Sequence, residues 1–396
     1  MSFSISSALE YVKDNDIKFV RLAFCNLFGI QKNIAIMASE LERAFEKGVR
    51  VDAPASNGFV GDDMFLFPDP STLTMLPWRP AHSGVARLYC SMRRSDGSPR
   101  PEDGRELLRR AIGKLDKMGY KCDIGSECEF YLFQLDETGA PTLTPHDDAN
   151  YCDFAPRDKG ENVRREICLA LMDMGIMPES SHHEREPGQN EIVLRYREPL
   201  QAADALVSFR AVTEIIAARN GLSASFNPKP FLDKHGNNVH INVSILRDGV
   251  NLFEKQGEAD AESFVAGILL KLGDMTAFLN AMPESFAGNL DNARDKPIRL
   301  PSPENGFTRL ELRTPDTSLS PYFALALIVE AGVWGIENKV ALSDDPFGDT
   351  APRNIEEALR AAENSFFVAE IVSDEALDAY VAQKRAELAR DDRIAY

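Results

Sequence analysis

The alternation of apolar and polar positions divides the chain into a strand-rich beginning and a longer stretch in which helices and strands interleave. "IKFVRLAFCNLFGIQKNIAI" reads as two alternating strands around a turn at Gly29, a hairpin pattern. "ASELERAFEKG" predicts a short helix stopped by Gly48. "MFLFPDPSTLTMLPW" and "GVARLYCSMRR" add strand-like runs broken by prolines. A Pro/Gly/Asp cluster from Ser95 to Gly104 predicts a linker, which divides the chain into domains 1–98 and 99–396. Beyond it the helical period recurs in "RELLRRAIGKLDKMG", "ENVRREICLALMDMG", "PLQAADALVSFRAVTEIIAARNG", "AESFVAGILLKLGDMTAFLNAM" and "PYFALALIVEAGVWGIENKV", and a helical pair is predicted from Asn354 to Arg390.

The strands between these helices share one design. In "KCDIGSECEFYLF", Cys122, Ile124, Cys128, Phe130 and Leu132 fall on one face, while Glu127 and Glu129 fall on the other. "NEIVLRY" sets Glu191 and Arg195 opposite Ile192 and Leu194. "NVHINVSI" sets His240, Asn242 and Ser244 opposite four aliphatic residues, and "TRLELRT" sets Arg309, Glu311 and Arg313 opposite Leu310 and Leu312. An apolar face for helices and an open charged face describe an α+β domain with a mostly antiparallel sheet. A polar face of this kind can simply meet water. Four of them mixing Glu, His and Arg, with hardly a Lys, point to a working surface instead.

Composition narrows the function. At 396 residues, 44% hydrophobic and 27% charged, the chain can bury a large core. Its net charge of −18 excludes a nucleic-acid partner, which needs concentrated Lys and Arg. The six cysteines form no C-x-x-C pair, which predicts free thiols in a reducing compartment. A polar N-terminus and the lack of any run near the roughly 20 apolar residues of a membrane span lead to a cytoplasmic expectation.

The candidate ligands on the polar faces are Glu127, Glu129, Glu191, Glu311 and His240, joined by Glu184 from "SHHEREPGQNE". Carboxylates facing one cavity repel, and divalent cations remove that cost. Oxygen donors with one imidazole and no thiolate suit Mg2+ or Mn2+ better than Zn2+. Arg294, Arg299, Arg309 and Arg313 offer guanidinium forks for phosphate. Metals and arginines around a carboxylate cup are what phosphoryl transfer needs. Walker, H-E-x-x-H, G-x-S-x-G and Rossmann motifs are absent.

Taken in order, "DDMFLFPDPSTLTMLPW", "GSECEFYLF", "SSHHEREPGQNEI", "FNPKPFLDKHGNNVHINVSI" and "IRLPSPENGFTRLELRTPDTSLSPYFALA" resemble the glutamine synthetase superfamily, including its γ-glutamyl amine ligases, across nearly the whole chain. The resemblance implies a β-grasp domain over 1–98 and an ATP-dependent catalytic domain over 99–396, its curved antiparallel sheet covered by helices. It also implies a ring-shaped homo-oligomer, a double-ring dodecamer, with each site shared with a neighbour's N-terminal domain. Glu129, Glu184 and Glu191 would then hold one metal, and Glu127, His240 and Glu311 the other. Glu179, Asn242 and Ser244 fall on nucleotide contacts, and Arg299 and Arg309 on phosphate contacts. Arg313 falls on a transition-state or substrate arginine, and Arg294 on that of an N-R-S motif. Asp52 of "VDAPAS" falls on an aspartate that deprotonates the incoming ammonium from across the interface, and Tyr151 on a tyrosine beside it. The reaction implied is ATP-dependent joining of an acid, the glutamate γ-carboxylate, to ammonia or another amine.

Several segments depart from that pattern. "AMPESFAGNLDNARDKPIRLP" is shorter than the family's closing loop, whose glutamate has no counterpart unless Glu284 substitutes. Asn242 replaces the second histidine of H-x-H, "GNN" replaces G-x-G, and "DAPAS" alters the ammonium loop. "DDPFGDTAPRN" stands where the family has its adenylylation-type tyrosine segment, so regulation by that route is not expected. Retained phosphate chemistry with an altered acceptor site predicts a bulkier amine or a different acid. Two other readings stand beside this one: a phosphotransferase of related architecture, and a catalytically retired oligomeric scaffold.

Overall fold

The computed structural model describes residues 3–53, 59, 61, 63–79, 82–254, 257–287, 296–300, 308–342 and 351–389. Arg294 and most of "DDPFGDTAPRN" lie outside these residues.

The hairpin at Gly29 forms as its alternation predicts. Helix α1 (Ile5–Asp14) precedes β1 (Phe19–Cys25), which pairs antiparallel with β2 (Gln31–Met37). A turn of 3-10 helix leads into α2 (Leu41–Lys47), which ends at Gly48 with φ +68°. Strands β3 (Val49–Val51), β4 (Met64–Pro68), β5 (Thr74–Met75) and β6 (Val85–Arg93) complete a sheet of order β2-β1-β6-β4-β3, with β5 on β6. Strand β1 is buried on both faces. Val20, Leu22 and Phe24 join the core under α1 and α2, whereas Ala23 and Cys25 join the core of the rest of the chain.

That shared burial changes the reading of Ser95–Gly104. The segment is pinned down and is not a loose tether. Arg100 and Glu102 form an ion pair with both side chains buried. Asp103 accepts from the Met92 amide at 2.7 Å and caps α3 (Gly104–Lys117). Arg105 then reaches Asp204 at 2.8 Å. Buried charge partners fix the junction between the two sheets.

The second sheet has nine strands, order β14-β15-β12-β7-β10-β9. Its members are β7 (Tyr120–Leu135), β8 (Pro141–Pro145), β9 (Pro178–His183), β10 (Gln189–Arg197), β11 (Leu222–Ser225), β12 (Val239–Arg247), β13 (Val250–Asn251), β14 (Ile298–Arg299) and β15 (Leu310–Leu312). Every pairing in it is antiparallel. The long β7 is central, flanked by β12 on one side and β10 on the other, and extended at its far end by β8 and β11. Helices α3, α4 (Glu161–Asp173) and α5 (Pro199–Arg219) pack on its apolar face. Behind them lie α6 (Ala259–Leu279) and α7 (Pro321–Glu337). The terminal pair is instead three helices, α8 (Ile355–Glu363), α9 (Phe366–Val372) and α10 (Asp374–Ala389), because Ser365 caps a new start and Ser373 breaks the chain at φ +72°. No helix among the described residues is long and apolar enough to cross a membrane.

Helices α6 and α7 approach backbone to backbone at Gly267 and Gly335. A Cβ at Gly267 would lie 2.2 Å from the Ala331 carbonyl oxygen, and one at Gly335 would lie 2.0 Å from that of Ser263. Backbone cannot yield as a flexible side chain can. Gly267→Val is expected to cost at least about 1–3 kcal/mol, seen as a lower urea midpoint. An unchanged midpoint would contradict this packing.

Candidate active site

Register brings the polar faces together. Glu127 sits opposite His240 across β7 and β12, and Glu129 sits opposite Glu191 across β7 and β10. His182 pairs with Glu191 on the outer side, and Glu311 pairs with Asn242 and Arg299 on the other. Since side chains alternate, Cys128 and Ile192 turn to the core while these residues share the opposite face. They line a cavity of about 520 Å3 that includes Glu127, Glu129, Glu184, Glu191, His240, Glu311, Arg299 and Arg313.

Two ligand clusters stand out among the described residues: Glu127–His240–Glu311 and His182–Glu184–Glu191, each with donor atoms within 4.8 Å. Carboxylate oxygens with one imidazole fit a hard divalent cation. In the first, His240 Nδ1 donates to Glu127 at 3.0 Å and lies 3.8 Å from Glu311. Burial alone would push Glu127 up, but hydrogen bonds from His240 and Asn242, with the His240 and Arg309 charges, hold it down at about 2.

The second cluster differs from the expected trio, because His182 stands in it and Glu129 stands back. The Glu129 carboxylate is buried and accepts from the Asn238 amide at 2.9 Å and from Gln189 at 3.1 Å. Burial and the negative charge of Glu184 nevertheless raise it to about 8, and burial with the charge of Glu129 raises Glu191 to about 8. His182 bonds Glu184 at 2.9 Å, which raises the imidazole above its ordinary value.

The arginines expected to hold phosphate cluster at β14, β15 and β12. Asn242 donates to Glu127 at 2.9 Å and accepts from Arg309 Nε at 3.0 Å, so it bridges an acid and a cation. Ser244 bonds the carbonyl of Thr308, the residue before Arg309. Arg299 pairs with Glu311, and Arg313 Nε lies 3.5 Å from the same carboxylate. Glu179 is exposed at a register shift in β9 and lies near enough to raise the Tyr196 phenol, after the larger effect of burial and along with Glu127. Tyr151 reaches the rim, its ring edge-on to His182 at 5.3 Å. Asp52 is exposed at the end of β3 and does not line the cavity, nor does Glu284.

Several supporting residues escaped sequence reasoning. Gln189 and Asn238 lay inside the quoted segments, but nothing in an isolated strand shows that they hold Glu129. Tyr196, whose buried hydroxyl meets no hydrogen-bond partner among the described residues, is carried into place by a bulge at Arg195–Tyr196 that spacing does not reveal.

The glutamine synthetase beta-grasp domain profile matches residues 16–95, and the glutamine synthetase catalytic domain profile matches residues 101–394. A glutamine synthetase of Clostridium saccharobutylicum is 37% identical, covering 96% of this chain and 94% of that protein. One from Methanosarcina mazei is 37% identical over 96% of this chain and 93% of its own. Among solved structures, a GmaS/ADP complex aligns with TM-score 0.84 and 27% identity, covering 97% of this chain and 96% of that one. A Plasmodium falciparum glutamine synthetase shares the fold at TM-score 0.84 and 21% identity, covering 100% and 98%. The protein is thus a carbon–nitrogen ligase by class, of a kind that uses ATP and divalent metal. It belongs to the glutamine synthetase family.

The raised acids set a pH signature. Glu129 and Glu191 ionise near 8 when folded against an ordinary value of 4.5, so their contribution to stability is complete below about 4.5 and is lost as pH rises through about 8. Melting temperature in chelator is expected to fall across that window. Saturating Mg2+ or Mn2+ is expected to flatten the fall, since nearby cations favour the ionised forms. A chelated protein whose melting temperature rises with pH would contradict the assignment.

Proposed function

We propose that the protein joins the γ-carboxylate of glutamate to an amine using ATP, and that the preferred amine is larger than ammonia. The observation that carries the first half is one cavity lined by five carboxylates, His240, Arg299 and Arg313, with His182 bonded to Glu184 and Arg309 beside Glu127 at its wall. The second half rests on the short 282–299 segment and on "DAPAS" in place of the family's ammonium loop.

Divalent metal, when bound by the two clusters, would supply charge neutralisation for phosphoryl transfer. With Glu127 and Glu311 turned toward a cation, Arg299, Arg309 and Arg313 lose carboxylate partners and can hold phosphoryl oxygens. Asn242, Ser244 and Glu179 lie along the strand edges where the nucleotide would run. The acid's carboxylate oxygen attacks the γ-phosphorus, giving an acyl phosphate and ADP. The amine nitrogen then attacks the carbonyl carbon and phosphate leaves. The amine must first lose a proton, and Asp52 from a neighbouring subunit is the base in this reading, with Tyr151 flanking the acceptor. Arg294, which falls on the N-R-S arginine, is proposed as a catalytic residue with Arg299 and Arg313. Such sharing requires a homo-oligomeric ring, and the double-ring dodecamer of the family resemblance is the form proposed.

The test is phosphate release from ATP and Mg2+ with glutamate and, in turn, ammonium, methylamine and putrescine. Higher kcat/KM for an alkylamine than for ammonium is expected. Glu311→Gln should lower kcat by about 10²-fold or more. Ammonium as the best acceptor would return the protein to plain glutamine synthesis, and no release with any pair would end the ligase reading.

A further inference from the structure

We propose that Asp147 is a positioning residue that sets the His182–Glu184–Glu191 half of the cup, acting through His183 and Gly188. The inference rests on reading the cup as a metal site.

Asp147 lies in the loop between β8 and α4 and is nearly buried. Its carboxylate accepts three hydrogen bonds from three separate segments: His183 Nε2 at 3.0 Å, the Gly188 amide at 2.9 Å and the Lys159 amide at 3.0 Å. His183 is fully buried, and its Nδ1 donates to the Glu184 carbonyl at 2.7 Å. The Glu184 amide in turn donates to the Gln189 carbonyl at 2.8 Å. The backbone of Glu184 is therefore held on both sides, while its carboxylate meets the Arg185 amide and His182 among the described residues. Gly188 presents its amide to Asp147 at φ +72°, where a Cβ would stand 2.8 Å from the Leu132 carbonyl. One carboxylate thus fixes the end of β9, the turn into β10 and the start of α4.

The same loop carries the rim. The Cys152 amide donates to the His183 carbonyl at 3.0 Å, which seats Tyr151 beside His182. Asp147, Asp158 and His183 bring donor atoms within 4.8 Å of one another, yet they are not a third metal centre. Asp158 is taken up by Arg164, which also bonds Asn190 at 2.6 Å, and both ring nitrogens of His183 already face oxygen acceptors. The Asp147 carboxylate and both ring nitrogens of His183 are satisfied, and satisfied buried polar groups rigidify what they touch. Partners that orient ligands in this way typically govern metal affinity by about 10–100-fold.

The experiment titrates the full chain with Mn2+, reading free ion by electron paramagnetic resonance. Wild type is expected to show two classes of site. Asp147→Asn is expected to weaken one class by about 10–100-fold and leave the other, which Glu127→Gln should weaken instead. Glu102→Gln, which breaks a buried ion pair at the domain junction, should lower the melting temperature without moving either class. His183→Gln keeps the two backbone donors of Asp147 and should shift the same class as Asp147→Asn, so it serves if that variant does not fold. A wild-type isotherm for these variants, or equal loss of both classes, overturns the proposal. Absence of Mn2+ binding by wild type would overturn the metal reading of the cup itself.

Discussion

Five carboxylates, Glu127, Glu129, Glu184, Glu191 and Glu311, line one cavity, and three of them are buried. Like charges in a poorly solvated space repel strongly, and this repulsion is the constraint that the rest of the site answers. The structure answers it unevenly. On the β12 side, His240, Asn242, Arg299, Arg309 and Arg313 surround Glu127 and Glu311, so charge is compensated by the chain itself. On the β10 side, Glu129 and Glu191 oppose each other with amide donors and His182, and their carboxyls rise to about 8. That asymmetry marks where an added cation would gain most. It also separates a half rich in arginine from a half with none in contact with its carboxylates among the described side-chain ion pairs.

The rest of the fold makes this arrangement rigid. Strand β7 is hydrogen-bonded on both edges and backed by helices, so a carboxylate on it cannot retreat without moving the core. The N-terminal sheet shares that core through Ala23, Cys25 and Tyr89, and buried charge partners at Arg100–Asp103 lock the junction. Stability lost to crowded acids is offset by apolar burial behind the same strands.

Much of this was legible in the sequence because strands alternate with a period of two. Glu127 and Glu129 against Cys128, or His240 and Asn242 against Ile241, assign faces with no structural input. Segment order then carried the family. Three features were out of reach for physical reasons. The place of His182 beside Glu184 and Glu191, and the amide partners of Glu129, depend on cross-strand register and on Gln189 and Asn238, which no single segment encodes. The Ser95–Gly104 segment has a linker's composition, but its partners are far away in sequence. The break at Ser373 turns on one left-handed residue inside an otherwise helical pattern.

The central claim is that the acid is activated by taking the γ-phosphoryl group before the amine attacks. Glutamate labelled with 18O in its γ-carboxylate, incubated with ATP, Mg2+ and the preferred amine, tests it most directly. The account predicts one labelled oxygen in each inorganic phosphate released and an amide that keeps the other. Phosphate that carries no label, formed alongside the amide, would contradict it.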